Sequence, residues 1–195
     1  GFLPDYHFND LLGKKVLIEG DVGSGKTKIT AKLLREAVEL NFSNKITVLD
    51  LAPPARIVAG RRVGGDLPID GYADGILYLK PAKLWAPRLN GRLKDEVLRM
   101  AHENARMIDE LLEEYLEHPT EILFVNDITM YLHAGDLKRL LDLVDRARTF
   151  VGNAYSGRFF DNDLESGLSE RERIGLSILH NKMNLVINLN SLEVV

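Results

Sequence analysis

The sequence lacks cysteine, and this absence excludes disulfide bonds, thiolate metal sites and cysteine nucleophiles. It also lacks an apolar run of the roughly 20 residues that a membrane-spanning helix needs, and it shows no secretory signal peptide. Positive charge is not in excess, because 25 Lys and Arg stand against 29 Asp and Glu. The formal net charge of -4 gives no overall attraction to nucleic acid or to an anionic membrane. These absences favour a cytoplasmic location.

The composition that remains is typical of a globular protein, with 45% apolar and 28% charged residues. A chain of 195 residues favours one domain over two. We predict an irregular N-terminal lead-in over residues 1–14 and a single domain over residues 15–195.

Short β-rich runs alternate with longer helical runs along this domain. The predicted strands are residues 16–20, 46–51, 75–81, 121–127, 149–155 and 184–190. The predicted helices are residues 26–40, 93–118, 136–147 and 169–183. Residues 52–75 are rich in Gly and Pro and are predicted to form a loop with short irregular elements. The alternation predicts an α/β fold in which helices cover both faces of a mostly parallel sheet.

The stretch GDVGSGKT, residues 20–27, fits the pattern G-x-x-x-x-G-K-[ST] and lies between a predicted strand and a predicted helix. Its glycines let backbone N–H groups surround phosphates, and the positive end of the helix faces the same anions. Lys26 is expected to reach the β and γ phosphates, and Thr27 to offer its hydroxyl to Mg²⁺. The motif predicts a P-loop NTPase whose nucleotide-binding residues are Gly20, Asp21, Val22, Gly23, Ser24, Gly25, Lys26, Thr27 and Lys28.

Polar residues end three of the predicted strands. Asp127 follows the apolar run ILFV and is predicted to hold the metal together with Thr27, because a P-loop needs a carboxylate on a neighbouring strand. Asp50 ends ITVLD and either orients the attacking water or is a turn residue at a strand end. Asn153 in TFVGNAY either senses the γ-phosphate or begins a loop. Lys26, Asp50 and Asn153 are the candidate catalytic residues.

The order of these parts resembles the ATPase core of the RecA-like superfamily, which includes RecA, RadA and the KaiC-like ATPases. The resemblance covers residues 15–189 and implies a RecA-like core that binds Mg²⁺ with ATP rather than GTP. It also implies a homo-oligomer, because many relatives build the ATP site between subunits. Asp50 lies 24 residues after Lys26, near the position of the family's water-activating acid.

This chain departs from the family at three points, the first of which is that Asp127 is preceded by Asn126 and is not followed by the Glu typical of many ATP-driven motors. The family usually has Glu at the position of Asp50, so the side chain here is one methylene shorter. The loop after Asn153 corresponds to a loop that contacts DNA in RecA. In this chain that loop has one basic residue, Arg158, and the three acids Asp161, Asp163 and Glu165. This composition opposes binding to a phosphate backbone, so a nucleic-acid partner is not expected.

Three functions fit these observations. The first is an ATPase whose hydrolysis is coupled to a conformational or assembly process. The second is a P-loop kinase in which residues 52–75 form a lid or bind the acceptor. The third is a slowly hydrolysing nucleotide switch that recruits a protein partner. Arg56, Arg61 and Arg62 either supply a charge-stabilising finger to phosphoryl transfer or lie in a solvated loop.

Overall fold

A computed structural model describes residues 5–69 and 74–192. Three short parts of the predicted segments lie outside the described residues. They are residues 1–4 of the lead-in, residues 70–73 of the Gly/Pro-rich loop and residues 193–195 of the domain. The strands are β1 (Lys15–Gly20), β2 (Ile46–Asp50), β3 (Arg56–Val58), β4 (Arg61–Val63), β5 (Leu77–Leu79), β6 (Ile122–Asn126), β7 (Thr149–Tyr155) and β8 (Leu185–Asn188).

Within the described residues, the strands form one parallel sheet of six in the order β5-β2-β6-β7-β1-β8. The remaining two, β3 and β4, pair as a separate antiparallel hairpin. Because all six strands of the sheet run in one direction, their carboxyl ends meet at one edge, where ligands bind in open α/β sheets. The helices are α1 (Lys26–Glu39), α2 (Pro87–Asn90), α3 (Lys94–Glu117), α4 (Thr129–Leu132), α5 (Leu137–Arg146) and α6 (Leu168–His180).

Apolar side chains cover both faces of the sheet, as the period of two along a strand requires. On β1, Val16 and Ile18 belong to one apolar cluster and Leu17 belongs to the other. The first cluster includes buried residues of α1, and the second includes buried residues of α3 and α5. The predicted α/β architecture, a parallel sheet between helices, is confirmed.

The N-terminal segment is more ordered than the sequence predicted. Residues Phe8–Leu11 form a 3-10 helix whose two apolar side chains are buried. The Phe8 ring stacks on Phe124 with 6.0 Å between the ring centroids, and the Phe8 N–H donates to a Glu36 carboxylate oxygen at 2.9 Å. This part of the lead-in therefore packs against the sheet and α1.

Two further predictions differ from the structure. The final strand was expected to continue to residue 190, but it ends at Asn188 and a 3-10 helix (Leu189–Leu192) follows. The Gly/Pro-rich segment contains the β3–β4 hairpin, which the sequence did not predict. Ala59 and Gly60 connect its strands with φ values of 50° and 77°, as a tight type I′ turn requires.

Candidate functional site

The predicted phosphate loop connects β1 to α1 at the carboxyl edge of the sheet. Gly25 has a φ of 98°, in the left-handed region that favours glycine. A Cβ at Gly20 would lie only 2.4 Å from Ser24 Oγ, so a larger residue would displace the loop. Lys26 Nζ donates to the Asp21 carbonyl at 3.0 Å and therefore lies over the loop. The local geometry is that of a strand–loop–helix cradle.

The Lys26 ammonium and the Asp127 carboxylate interact electrostatically across this cradle. Burial lowers the pKa of Lys26, while Asp127 and Asp21 oppose that change. Burial raises the pKa of the Asp127 carboxyl to about 7, and the positive charge of Lys26 is the largest opposing influence. The predicted metal ligand and the predicted phosphate-binding lysine thus share one site.

The backbone of Asp127 is held in an uncommon conformation directly after β6. Its φ is 60°, a value that a non-glycine residue adopts only where the surrounding structure enforces it. The Asp127 N–H donates to Asn153 Oδ1 at 2.7 Å. Asn153 therefore fixes the backbone of the neighbouring acid at the site.

Four buried polar side chains form a hydrogen-bonded network, called here the sheet-edge network. Its members are Thr30, Asn153, Asn126 and Asp50. Asn153 Nδ2 donates to Thr30 Oγ1 at 2.9 Å and to Asn126 Oδ1 at 2.9 Å. Asn126 Nδ2 in turn donates to Asp50 Oδ1 at 2.8 Å. Asn126 was not predicted as a functional residue, although a buried amide between an apolar strand and the metal acid was a signal for it. The network joins α1, β7, β6 and β2.

Asp50 is fully buried at the end of β2. Besides Asn126, its carboxylate accepts hydrogen bonds from the Leu67 N–H at 2.8 Å and the Tyr78 hydroxyl at 2.6 Å. Among the described residues, Asp50 is not part of the wall of the cavity that the phosphate loop lines. In this conformation Asp50 binds the segment after β4 to the sheet, and its role as the group that orients water stays a prediction.

A cavity of about 740 Å³ adjoins the phosphate loop. Among the described residues that line it, five are cations and two are carboxylates, so its wall is positive although the chain is acidic. A polyanion is the ligand that this charge favours. The cations are Lys26, Lys28, Arg35, Arg62 and Arg88, and the carboxylates are Asp66 and Asp127.

An ionic cluster of Arg88, Glu172 and His133 lies on the α2–α4 side of this cavity. The guanidinium of Arg88 forms a two-point pair with the Glu172 carboxylate, and His133 Nε2 lies 2.6 Å from Glu172 Oε2. The three side chains are 0–6% exposed. Burial lowers the pKa of His133, and the hydrogen bond and negative charge of Glu172 oppose that change. No sequence pattern indicates this cluster, because its members lie far apart in the chain, on α2, directly after α4 and on α6.

The predicted metal ligands Thr27 and Asp127 line one cavity. Among the described residues, no group of three or more His, Asp or Glu side chains could bind a metal alone. Mg²⁺ usually binds one or two carboxylates together with phosphate oxygens and water. Thr27 and Asp127 therefore fit a metal that arrives with a nucleotide. When bound, the ion would neutralise charge that develops on the phosphates.

Comparisons with known proteins identify the fold. No protein-family model and no curated protein matches the chain. The solved structure of the flagellar accessory protein FlaH from Methanocaldococcus jannaschii aligns with 91% of this chain and 71% of its own, with a TM-score of 0.50 and 9% identity. The Pif1 helicase from Candida albicans aligns with 91% of this chain and 36% of its own, with a TM-score of 0.37 and 14% identity. The likeness to FlaH shows a shared fold, and the predicted α/β P-loop NTPase fold is confirmed.

None of the helices in residues 5–69 and 74–192 has the length and apolarity to cross a membrane.

Proposed function

We propose that this protein is a RecA-like P-loop ATPase that binds Mg²⁺·ATP and hydrolyses it to ADP and phosphate. The observation that carries the proposal is the glycine-shaped loop between β1 and α1, beside the electrostatically linked Lys26 and Asp127. The positive wall of the adjoining cavity supports it, because a nucleoside triphosphate is a polyanion. The preference for ATP over GTP, the homo-oligomer and the coupled conformational or assembly process follow from the family resemblance.

Each predicted residue then has a defined task. The backbone of residues 20–27 and the Lys26 ammonium bind the β and γ phosphates. Thr27 and Asp127 bind the metal that accompanies the nucleotide, and Asn153 holds the Asp127 backbone. Water attacks the γ-phosphorus, ADP leaves, and the proton of the water must pass to a base or to phosphate.

We propose that Asp50 orients this water. The hydrogen bonds that its carboxylate already accepts then affect the rate of hydrolysis. Asp50 already accepts hydrogen bonds from four protein donors, the three described above and the Ala52 N–H at 3.5 Å, and these fill the acceptor sites of a carboxylate. To accept a proton from water it must first give up at least one of them. Hydrolysis by the isolated protein should therefore be slow, and a slow rate would suit the nucleotide-switch function with a protein partner.

A kinase is the second candidate, and the extent of the cavity favours it. The cavity continues past Asp127 to Arg88, Met130 and His133. The whole cavity has a volume of about 740 Å³, which lies in the range of small-molecule binding sites. In that case the γ-phosphoryl group would pass from ATP to the acceptor instead of to water.

Nucleotide turnover tests both functions. Phosphate and ADP release would be measured with ATP or GTP and Mg²⁺ for wild type, Lys26→Ala and the control Lys32→Ala. Lys32 lies on the same helix, but its ammonium binds the Tyr6 carbonyl at 2.8 Å. We expect wild type and Lys32→Ala to release phosphate from ATP, and Lys26→Ala to lose release.

The outcomes separate the candidates. ATP binding without phosphate release would contradict the ATPase and favour the kinase or the switch. ADP formation that begins only when a candidate acceptor is added would favour the kinase. If wild type binds neither nucleotide, the proposed nucleotide site is wrong.

A further inference from the structure

The β3–β4 hairpin lies over the phosphate loop of its own chain. Arg61 Nη1 donates to the Val22 carbonyl in the phosphate loop at 3.4 Å. The guanidinium carbon of Arg61 also lies 5.9 Å from the centre of the Phe159 ring, which follows β7. The hairpin therefore contacts the phosphate loop and the segment that follows β7.

Buried contacts fix the base of this hairpin. Val63 at the end of β4 and Leu67 just after it are buried. The Gly65 N–H donates to the Pro53 carbonyl at 2.8 Å, and the Leu67 N–H donates to Asp50. The hairpin thus joins the carboxyl edge of the sheet through the sheet-edge network. The fold of the same chain therefore holds Arg62, a residue of β4, in the cavity wall.

The Arg62 guanidinium lines the same cavity as Asp127, the acid predicted to hold the metal. A Cβ placed on Gly65 would lie 3.0 Å from Arg62 Nη2, so the guanidinium packs against the Gly65 backbone. The Gly65 carbonyl is 3.4 Å from Asn126 Nδ2, and Asn126 directly precedes Asp127. Arg62 also belongs to the wall of the cavity that Lys26 and Asp127 line.

Among residues 5–69 and 74–192, no carboxylate forms an ion pair with Arg62. The neighbouring carboxylate of Asp66 pairs instead with Lys80 at 2.6 Å. Arg88, another cation of the cavity wall, is already paired with Glu172. Arg62 is therefore available for an anionic ligand.

We propose that the β3–β4 hairpin is a phosphate-binding element that acts in cis, within its own chain. Arg62 binds the terminal phosphate of a nucleoside triphosphate, and Arg61 holds the hairpin to the phosphate loop. This inference rests on the proposed nucleotide site and extends it. An arginine can form two parallel hydrogen bonds to a phosphate. Arg62 would accordingly distinguish a triphosphate from a diphosphate, without an arginine from a second subunit.

The first test is binding of ATP and ADP, each with Mg²⁺, to wild type and to hairpin variants. Arg62→Ala should weaken ATP binding about ten- to a hundredfold, the range expected for a lost hydrogen bond to a charged group. ADP binding should change less than about twofold, because ADP lacks the terminal phosphate. Arg62→Lys should retain part of the ATP affinity, since it keeps the charge without the two-point geometry.

Arg56→Ala is the matched control. Arg56 lies on the same hairpin and is exposed, but it lines a second, smaller cavity. We expect this variant to bind both nucleotides as wild type does. Equal losses of ATP affinity in Arg56→Ala and Arg62→Ala would mean that the effect comes from the overall positive charge of the hairpin. This result would overturn the proposal. Equal losses of ATP and ADP binding in Arg62→Ala would overturn it as well.

A mixing experiment tests whether the arginine acts in cis. Lys26→Ala keeps Arg62, and Arg62→Ala keeps the phosphate loop. If the arginine acts within its own chain, an equimolar mixture should bind ATP no better than the two variants measured separately. Restored high-affinity binding would show that Arg62 serves a neighbouring subunit and would overturn the cis assignment.

Binding measurements distinguish a failure of the proposed nucleotide site from a failure of the hairpin proposal. If wild type binds ATP and Lys26→Ala does not, the nucleotide site stands whatever the hairpin variants do. Wild-type ATP affinity in Arg62→Ala would then overturn the hairpin proposal alone. If wild type binds neither ATP nor ADP, both proposals are wrong.

Discussion

The two buried polar clusters beside the cavity are stabilised by different interactions. The sheet-edge network consists of one carboxylate, two amides and a hydroxyl, and its links are hydrogen bonds of 2.8–2.9 Å. The ionic cluster places a cation, an anion and an imidazole together, and His133 Nδ1 is buried there without a hydrogen-bond partner among the described residues. Loss of one side chain should therefore have different effects in the two clusters.

Burial of charge explains the difference. Losing one donor to a group that keeps other hydrogen bonds leaves a polar atom unpaired, whereas losing Glu172 leaves the buried Arg88 cation without its counter-ion. The second cost is larger because a charge in a medium of low dielectric loses more hydration energy. The ionic cluster should thus be the more sensitive of the two, although it lies further from the predicted catalytic residues.

The largest effect is expected for Glu172→Gln. The substitution keeps the size of the side chain but removes the negative charge that pairs with Arg88. We expect the free energy of unfolding to fall by about 3–5 kcal/mol, the range for breaking a buried ion pair from one side. Urea denaturation measures this as a lower midpoint at an unchanged m-value.

Glu170→Gln is the control on the same helix. Glu170 pairs with Arg173, and these side chains are 61% and 67% exposed. Exposed ion pairs contribute about 0–1 kcal/mol, so the denaturation midpoint should hardly move. Similar losses for Glu170→Gln and Glu172→Gln would contradict the importance assigned to the buried charge.

A smaller effect is expected for Asp50→Asn in the sheet-edge network. The amide has one acceptor oxygen and turns an N–H₂ group toward donors, so at least one hydrogen bond is lost. The free energy of unfolding should fall by about 1–3 kcal/mol. Tyr78→Phe removes a single donor to Asp50 and should cost less, about 0.5–1.5 kcal/mol.

The Asp50→Asn variant also tests the predicted catalytic role of Asp50. If phosphate release disappears while the denaturation midpoint stays at the wild-type value, Asp50 acts mainly on water. If stability falls and the remaining folded protein still releases phosphate, Asp50 is a positioning residue. The second result would make the prediction of Asp50 as the water-orienting group wrong.

The comparison also shows what the sequence could predict. The parallel sheet followed from the alternation of strands and helices, and the phosphate loop followed from a local motif, because each depends on residues near one another in the chain. The partners of Asp50 could not be predicted in this way, since Leu67 and Tyr78 come 17 and 28 residues later. The sequence therefore indicated a polar residue at the sheet edge without showing that its carboxylate is already occupied.

The ionic cluster marks the limit of sequence reasoning more clearly. Arg88 and His133 carry no motif, and Glu172 lies 84 and 39 residues away from them. Only the packing of α2, α4 and α6 brings the three together. The β3–β4 hairpin escaped prediction for another reason, because its strands have three residues each in a segment rich in Gly and Pro.

The smallest predicted effect concerns His133. It depends on pH and therefore distinguishes the ionic cluster from the sheet-edge network. Burial lowers its pKa below the ordinary value of 6.5, so the unfolded chain binds a proton that the folded protein does not. The contribution of this group to stability is therefore complete above pH 6.5 and is lost as the pH falls toward the folded-state pKa. His133→Gln can keep the hydrogen bond to Glu172, because the amide nitrogen takes the place of Nε2, and it removes the titration.

Denaturation midpoints of wild type and His133→Gln at several pH values between 8 and 5 measure this contribution. Above pH 6.5 the difference between the two proteins should be constant. Below it, wild type should lose stability faster than the variant, because only wild type has the titrating imidazole. A difference that stays constant down to pH 5, or that grows in favour of wild type, would mean that His133 is protonated in the folded state. Glu172 would then carry a second positive partner, and the cluster would be held by three charges instead of two.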